Sequence, residues 1–164
     1  MKIGIIADTH VPVIVKSLPP KLNEHFKGCD LIIHAGDLVE MQVLEELGKI
    51  AETKAVYGNM DGPGVRKNLP ENILFEAEDK RIGVVHGSGS ASKIIENVRK
   101  TFSKKPDIII FGHSHVPLNR TLNGILFFNP GSATDKIFSP YRTIGIIEID
   151  NGEVRAEIIK LEDK

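Results

Sequence analysis

Five short aliphatic runs constrain this chain more than any other feature: "KIGIIA" at 2–7, "DLIIHA" at 30–35, "TKAVY" at 53–57, "RIGVVH" at 81–86 and "DIIIF" at 107–111. Each is too brief for a typical helix and rich in Ile and Val, so each reads as a strand buried on both faces. Helical periods fall between some of them: Leu18, Leu22 and Phe26, then Val43, Leu44, Leu47, Ile50 and Ala51, then Ala91, Ile94, Ile95, Val98 and Phe102. Strand alternating with helix implies a largely parallel sheet. The last third differs, because "TLNGIL" and "IDNGEV" each set Asn-Gly between strand-like segments, which predicts antiparallel hairpins. The expectation is an α/β fold of two packed sheets flanked by helices, in one domain over residues 1–164. "GNMDGPGVRKNLPEN" (58–72), punctuated by Gly and Pro, reads as the longest loop.

Composition removes several function classes. The 164 residues suffice for a full core without a disulfide or metal staple. With 21 Lys+Arg against 22 Asp+Glu, and no basic block, the chain lacks the phosphate-neutralising surface of a dedicated nucleic-acid binder. Cys29 is the sole cysteine, so thiolate clusters and intrachain disulfides are excluded and a reducing compartment fits. The opening run is too short for a signal peptide core or a membrane span. A cytoplasmic protein without membrane partners is expected.

Ligand-type residues follow the strands. Asp8 and His10 come after the first run, Asp37 after the second, Asn59 after the third, His86 at the end of the fourth, and His113 and His115 after the fifth. In open α/β sheets the carboxyl ends of strands form the crevice where ligands bind, so these seven can gather at one edge. Any one of them alone reads as a cap, a turn former or a core histidine. Their coincidence at five strand ends points instead to a metal. His113 and His115, two apart after a β-branched run, are expected to share one face of extended backbone. Seven oxygen and nitrogen donors exceed the needs of one tetrahedral zinc, and two cations sharing a carboxylate would use them all.

These motifs, Asp8-Thr9-His10, Gly36-Asp37, Gly58-Asn59, His86 and Gly112-His113-Ser114-His115, resemble in order those of the calcineurin-like metallophosphoesterase superfamily. The short chain and "NPGS" at 129–132 are similar to its small single-domain phosphodiesterase branch. The resemblance implies a four-layer αββα sandwich of two mixed sheets. It also implies a dinuclear centre in which Asp8, His10 and His115 hold one cation, Asn59, His86 and His113 the other, and Asp37 bridges them. The implied activity is hydrolysis of a small phosphodiester by a hydroxide held on the cation pair, with catalytic parts for Asp37 and Asn59. Mn²⁺ is the first choice of cation, although oxygen and imidazole donors also admit Ni²⁺, Fe²⁺, Co²⁺ or Zn²⁺. Members of the family are often oligomeric, which leaves a homo-oligomer open.

Met60 departs from the resembled pattern, where many members carry a histidine that protonates the leaving oxygen. A thioether cannot donate a proton, so that task falls to water or to Asp61, and activated esters should be cleaved faster than alkyl ones. Asp61 also reads as a turn carboxylate bonded to backbone amides. His34 reads as a support for a metal ligand or as core, His25 as surface, Arg66 as a solvated loop residue or a phosphate contact, and Asn129 and Ser132 as parts of a tight turn. The competing reading is a non-catalytic protein-binding scaffold on the same fold, like the retromer subunit that resembles this branch with a degraded metal site.

Overall fold

A computed structural model describes residues 1–139 and 141–161, and within them the chain alternates strands and short helices. The first half runs β1 (Lys2–Ile6), α1 (Leu22–His25), β2 (Leu31–His34), α2 (Gln42–Gly48), β3 (Glu52–Ala55) and α3 (Pro63–Asn68). The second runs β4 (Asn72–Ala77), β5 (Lys80–Val85), α4 (Ile94–Lys100), β6 (Ile108–Ile110), β7 (Leu118–Leu122), β8 (Ile125–Asn129), β9 (Thr143–Asp150) and β10 (Glu153–Lys160). All five aliphatic runs form strands.

Two mixed five-stranded sheets result, ordered β10-β9-β1-β2-β3 and β4-β5-β6-β8-β7. β1, β2 and β3 are parallel, as are β5, β6 and β8, while β9, β10, β4 and β7 join antiparallel. The alternation of side chains along each strand creates four layers. Ile3, Ile5, Leu31 and Ile33 of the first sheet meet Ile82, Val84, Ile108 and Ile110 of the second. Ile6 and Ile32 face the other way, onto Leu22, Phe26, Val43, Leu47 and Val65 of the first three helical segments and their ends. Ile109 and Phe127 face Ile94 and Val98 of α4. Each fully buried aliphatic side chain contributes about 1.5–3 kcal/mol, which lets helices of only four to seven residues persist where isolated ones would melt. The fold is the expected αββα sandwich.

The differences from expectation are local. Both Asn-Gly pairs turn hairpins, with positive φ at Asn123, Gly124, Asn151 and Gly152, but β8 also pairs parallel with β6, so the C-terminal third is not wholly antiparallel. β3 is an edge strand with an exposed and partly buried face rather than a strand covered on both sides. The segment read as one long loop contains α3, started by Pro63 in the first turn after extended Gly62 and fixed by Val65 in the core. Among the described residues no helix is long and apolar enough to cross a membrane.

Candidate metal centre

The parallel strands of both sheets end at one edge, and their following residues turn inward there. Asp8 and His10 leave β1, Asp37 follows β2, Asn59 follows β3, His86 follows β5, and His113 and His115 follow β6. Five of these residues have φ values the L configuration disfavours: 50° at Asp8, 44° at His10, 57° at Asp37, 68° at His113 and 57° at His115. The two imidazoles of "GHSH" therefore do not share the face of an extended strand; two left-handed residues aim them, one toward each side of the cluster.

Glycines give the site its density. A Cβ on Gly36 would lie 2.6 Å from His86 Nδ1, one on Gly58 2.6 Å from the Asp37 nitrogen, and one on Gly112 2.6 Å from Asp8 Oδ2. The glycine of each motif thus makes room for a ligand-type residue of another motif, which explains why Gly precedes Asp37, Asn59 and His113.

All seven expected residues converge. Asp8, His10 and His115 form one group and Asp8, Asp37 and His86 an overlapping one, the potential ligand atoms of each lying within 4.8 Å of one another. His10 Nε2 is 3.3 Å from His115 Nε2 and 3.8 Å from Asp37 Oδ2, and His115 Nε2 is 3.4 Å from Asp8 Oδ1. On the other side, His86 Nε2 lies 3.2 Å from Asp37 Oδ2 and 3.1 Å from Asn59 Oδ1, which is itself 2.9 Å from His113 Nδ1. Asp37 Oδ2 sits between the two sides; its other oxygen accepts from the Met60 N–H at 2.7 Å. Asp8, Asp37, His10 and His86 are buried, His113 and His115 half-buried, and Asn59 exposed, so the cluster opens to solvent on one side.

The donor set fits cations. His86 Nδ1 faces the Ala35 carbonyl at 2.8 Å and His115 Nδ1 faces the Asp135 carboxylate, both pure acceptors, so each Nδ1 carries the proton. Each Nε2 then presents a lone pair to carboxylate or amide oxygens, an arrangement that only added positive charge reconciles. Without a cation that charge comes from protons. Burial opposes protonation of His115, yet Asp8 and Asp135 outweigh it and raise its pKa to about 9. Burial likewise opposes charge on His86, and Asp37 and Asp8 prevail to raise it. For His10 burial wins over the same carboxylates and lowers the pKa. Burial pushes Asp37 up, but the His86 contact and the Met60 N–H hold it below the usual carboxylate range.

The supporting residues have distinct tasks. Asp61, 3% exposed, accepts from the backbone N–H of Asp37 (3.0 Å), Val39 (2.6 Å) and Gly58 (2.7 Å). This is the turn-carboxylate arrangement, and it ties the Asp37 segment to the Asn59 segment. Arg66 stacks on Tyr57 at 4.8 Å and donates to the carbonyls of Gly58, Asn59 and Asp61, so its guanidinium clamps the same loop. His34 Nδ1 accepts from Gly36 N–H at 3.2 Å, leaving Nε2–H to donate to Thr9 Oγ1 at 3.0 Å. His25 sits on α1, apart from the cluster. Asn129 donates to the Gly112 carbonyl and Ser114 Oγ, and Ser132 Oγ donates to the Asp8 carbonyl, so the "NPGS" turn braces two ligand-bearing segments. Asp135 was not singled out in the sequence; an Asp after "GSAT" looks like any turn former until the fold sets it against His115.

A sequence profile for the calcineurin-like phosphoesterase superfamily domain matches residues 1–152. The chain belongs to this superfamily. The chain is 35% identical over 163 residues to a probable metallophosphoesterase of Methanothermobacter thermautotrophicus, covering 98% of this chain and 92% of that one. It is 30% identical to a phosphodiesterase of Methanocaldococcus jannaschii over 174 aligned residues, covering 98% of this chain and all of that protein. A Thermotoga maritima protein solved by solution NMR superposes with a TM-score of 0.77 at 35% identity, covering 98% of this chain and 99% of that one.

Proposed function

We propose that this metallophosphoesterase, as one domain over residues 1–164, is a dinuclear-metal-dependent phosphodiesterase acting on a small phosphodiester. The carrying observation is the pair of Nε2 atoms, on His86 and His115, facing Asp37, Asn59 and Asp8 across a cluster that Asp37 Oδ2 bisects. Asp8, His10 and His115 would hold the first cation, Asn59, His86 and His113 the second, and Asp37 both. Two divalent cations would neutralise phosphoryl oxygens and bring the pKa of bound water down towards about 7. Mn²⁺ remains the first choice of cation, since the donors are oxygen and imidazole without thiolate. The likeness to a relative named as a phosphodiesterase supports the substrate class, and the lone, buried Cys29 agrees with a cytoplasmic setting.

The chain's own residues orient and exclude. Asp37 is aimed by the Met60 N–H and by Asp61's hold on its backbone, and Asn59 by Arg66 at its carbonyl. With Asp61 committed to three backbone amides and Met60 59% exposed, the leaving oxygen takes its proton from solvent. The test is hydrolysis of bis-p-nitrophenyl phosphate by chelated protein with and without Mn²⁺, with Asp37→Asn as control. Activity restored by Mn²⁺ in the wild type and abolished in Asp37→Asn is expected; activity surviving both chelation and the substitution refutes the reading. The scaffold alternative draws support from Ile137 and Phe138, 81% and 72% exposed beside the site, and failure of every divalent cation to restore turnover selects it.

A further inference from the structure

Asp135 is fully buried and its carboxylate is shared between two structures. Oδ2 receives the Nδ1–H of His115. Oδ1 receives the backbone N–H of Ile137 at 2.7 Å, and the Phe138 N–H reaches both oxygens at 3.3–3.4 Å. Ser132 Oγ accepts from the Asp135 N–H at 3.0 Å while donating to the Asp8 carbonyl at 2.7 Å, so the anchor is itself fixed to the β1 end of the site. The Phe138 ring stands edge-on to the His115 ring at 6.0 Å, with interplanar angle 81°. One carboxylate therefore sets the orientation and tautomer of a ligand-type imidazole and the position of the apolar residues at the rim.

We propose that Asp135 is the positioning residue of the first cation site and that it couples occupancy of that site to the order of the rim segment 137–138. The proposal rests on the two-cation reading. Metal-binding imidazoles work with the second nitrogen's N–H held by a carboxylate or carbonyl, and losing that partner commonly costs 10–100-fold in metal affinity. Here the requirement is stricter, because Asp135 serves three donors with no proton of its own. An asparagine cannot replace it. With its NH₂ toward His115, Nδ1 must become the acceptor and Nε2 takes the proton, blocking the face that meets Asp8 and His10. With its oxygen toward His115, the NH₂ instead faces the N–H groups of Ile137 and Phe138, and the rim is released. Either way one of the two functions fails.

The experiment compares wild type, Asp135→Asn and Asp135→Glu as full chains. Zn²⁺ binding is followed by calorimetry, the His115 ring by long-range ¹H–¹⁵N spectra of the Zn²⁺-loaded protein, and the amides of Ile137 and Phe138 by hydrogen exchange with and without Zn²⁺. Wild type should bind two Zn²⁺, keep Nδ1–H on His115 and slow exchange at Ile137 and Phe138 on loading. Asp135→Asn should weaken one of the two binding events 10–100-fold, leave the other unchanged and uncouple rim exchange from loading; Asp135→Glu, which can still accept from all three donors, should recover part of both. Wild-type affinity at both sites in Asp135→Asn, with rim exchange still responding to Zn²⁺, overturns the proposal. Should wild type bind no cation at all, the phosphodiesterase reading falls, whereas faster Ile137 and Phe138 exchange in metal-free Asp135→Asn still supports the anchor. Unchanged exchange there sinks the anchor as well. Were Asp135→Asn not to fold, a wild-type His115 bearing its proton on Nε2 in the loaded protein would by itself refute the assignment.

Discussion

His34 makes the stability of the metal-free protein sensitive to acid in a calculable way. Its side chain is 0% exposed, and its Nδ1 is occupied by the Gly36 N–H. A second proton would bring charge into the core and set Nδ1–H against that donor. Burial, reinforced by His86 and only partly opposed by Asp37, lowers its pKa from 6.5 to about 3. In the unfolded chain the ring titrates at its ordinary value. Between these two values the unfolded state binds a proton that the folded state refuses, so His34 favours the fold above pH 6.5 and increasingly penalises it as pH falls towards 3. At about 1.4 kcal/mol per unit of separation, the stability lost is about 2 kcal/mol at pH 5 and about 3 kcal/mol at pH 4.

The assay is urea unfolding of chelated wild type and His34→Gln between pH 7.5 and pH 4. Glutamine can accept from Gly36 or donate to Thr9 but never titrates, so the variant should be less stable than wild type by about 1–3 kcal/mol at neutral pH through one imperfect hydrogen bond. The gap should narrow by about 2 kcal/mol at pH 5 and then close or invert. Chelation keeps cation release from adding a slope of its own, and the other histidines titrate in both proteins and cancel in the difference. Parallel profiles from pH 7.5 to pH 4 would show that His34 accepts its proton in the fold and would refute the reasoning.

Three further outcomes follow from the site. Asp61→Ala strands the backbone N–H groups of Asp37, Val39 and Gly58, so denaturant unfolding should show a loss of at least about 3 kcal/mol; near-wild-type stability with slow turnover confined to poor leaving groups would restore Asp61 as a proton donor. Met60→His places a titratable donor on an exposed position beside Asn59, and should raise hydrolysis of an alkyl ester by about 100-fold or more relative to a p-nitrophenyl ester, measured as the ratio of the two rates. At His113, φ of 68° is strained for any L residue, so His113→Gly should unfold at higher urea than His113→Ala, by about 1 kcal/mol, although both lose the ring.

What was legible in the sequence is the part encoded locally. The β-branched runs specify strands because only a sheet buries such short apolar segments, and a strand end fixes where the next polar residue emerges. Asp8, Asp37, His86 and the "GHSH" pair are therefore gathered by the sequence pattern alone. β4 is hard to read although "NILFEA" alternates, because Glu78-Asp79 turns the β4–β5 hairpin with a left-handed Glu78 in place of an Asn-Gly signal. α3 is hidden in the sequence because Pro and Gly dominate its first turn and its stability comes from Val65 packing and Arg66 contacts, neither of which is a local property. Asp135 was illegible for the same reason: 20 residues of chain, including a complete hairpin, separate it from His115.

The left-handed residues explain why so much of this small chain is committed to holding the site. Backbone strain at five ligand-type residues costs on the order of 1 kcal/mol or more each, and it persists only where surrounding contacts overdetermine the geometry. Those contacts are present at each turn. The Asp8 segment is held by Ser132 and Thr134, and Asp37 by Asp61 and Met60. His113 is held through its N–H to Asp8, and His115 through Asp135. Every brace comes from protein groups, and the bracing residues lie on segments remote from those they fix. The cluster's shape is therefore set by contacts within the protein, and a cation held there would take the place of the protons that Asp8 and Asp37 favour on His115 and His86.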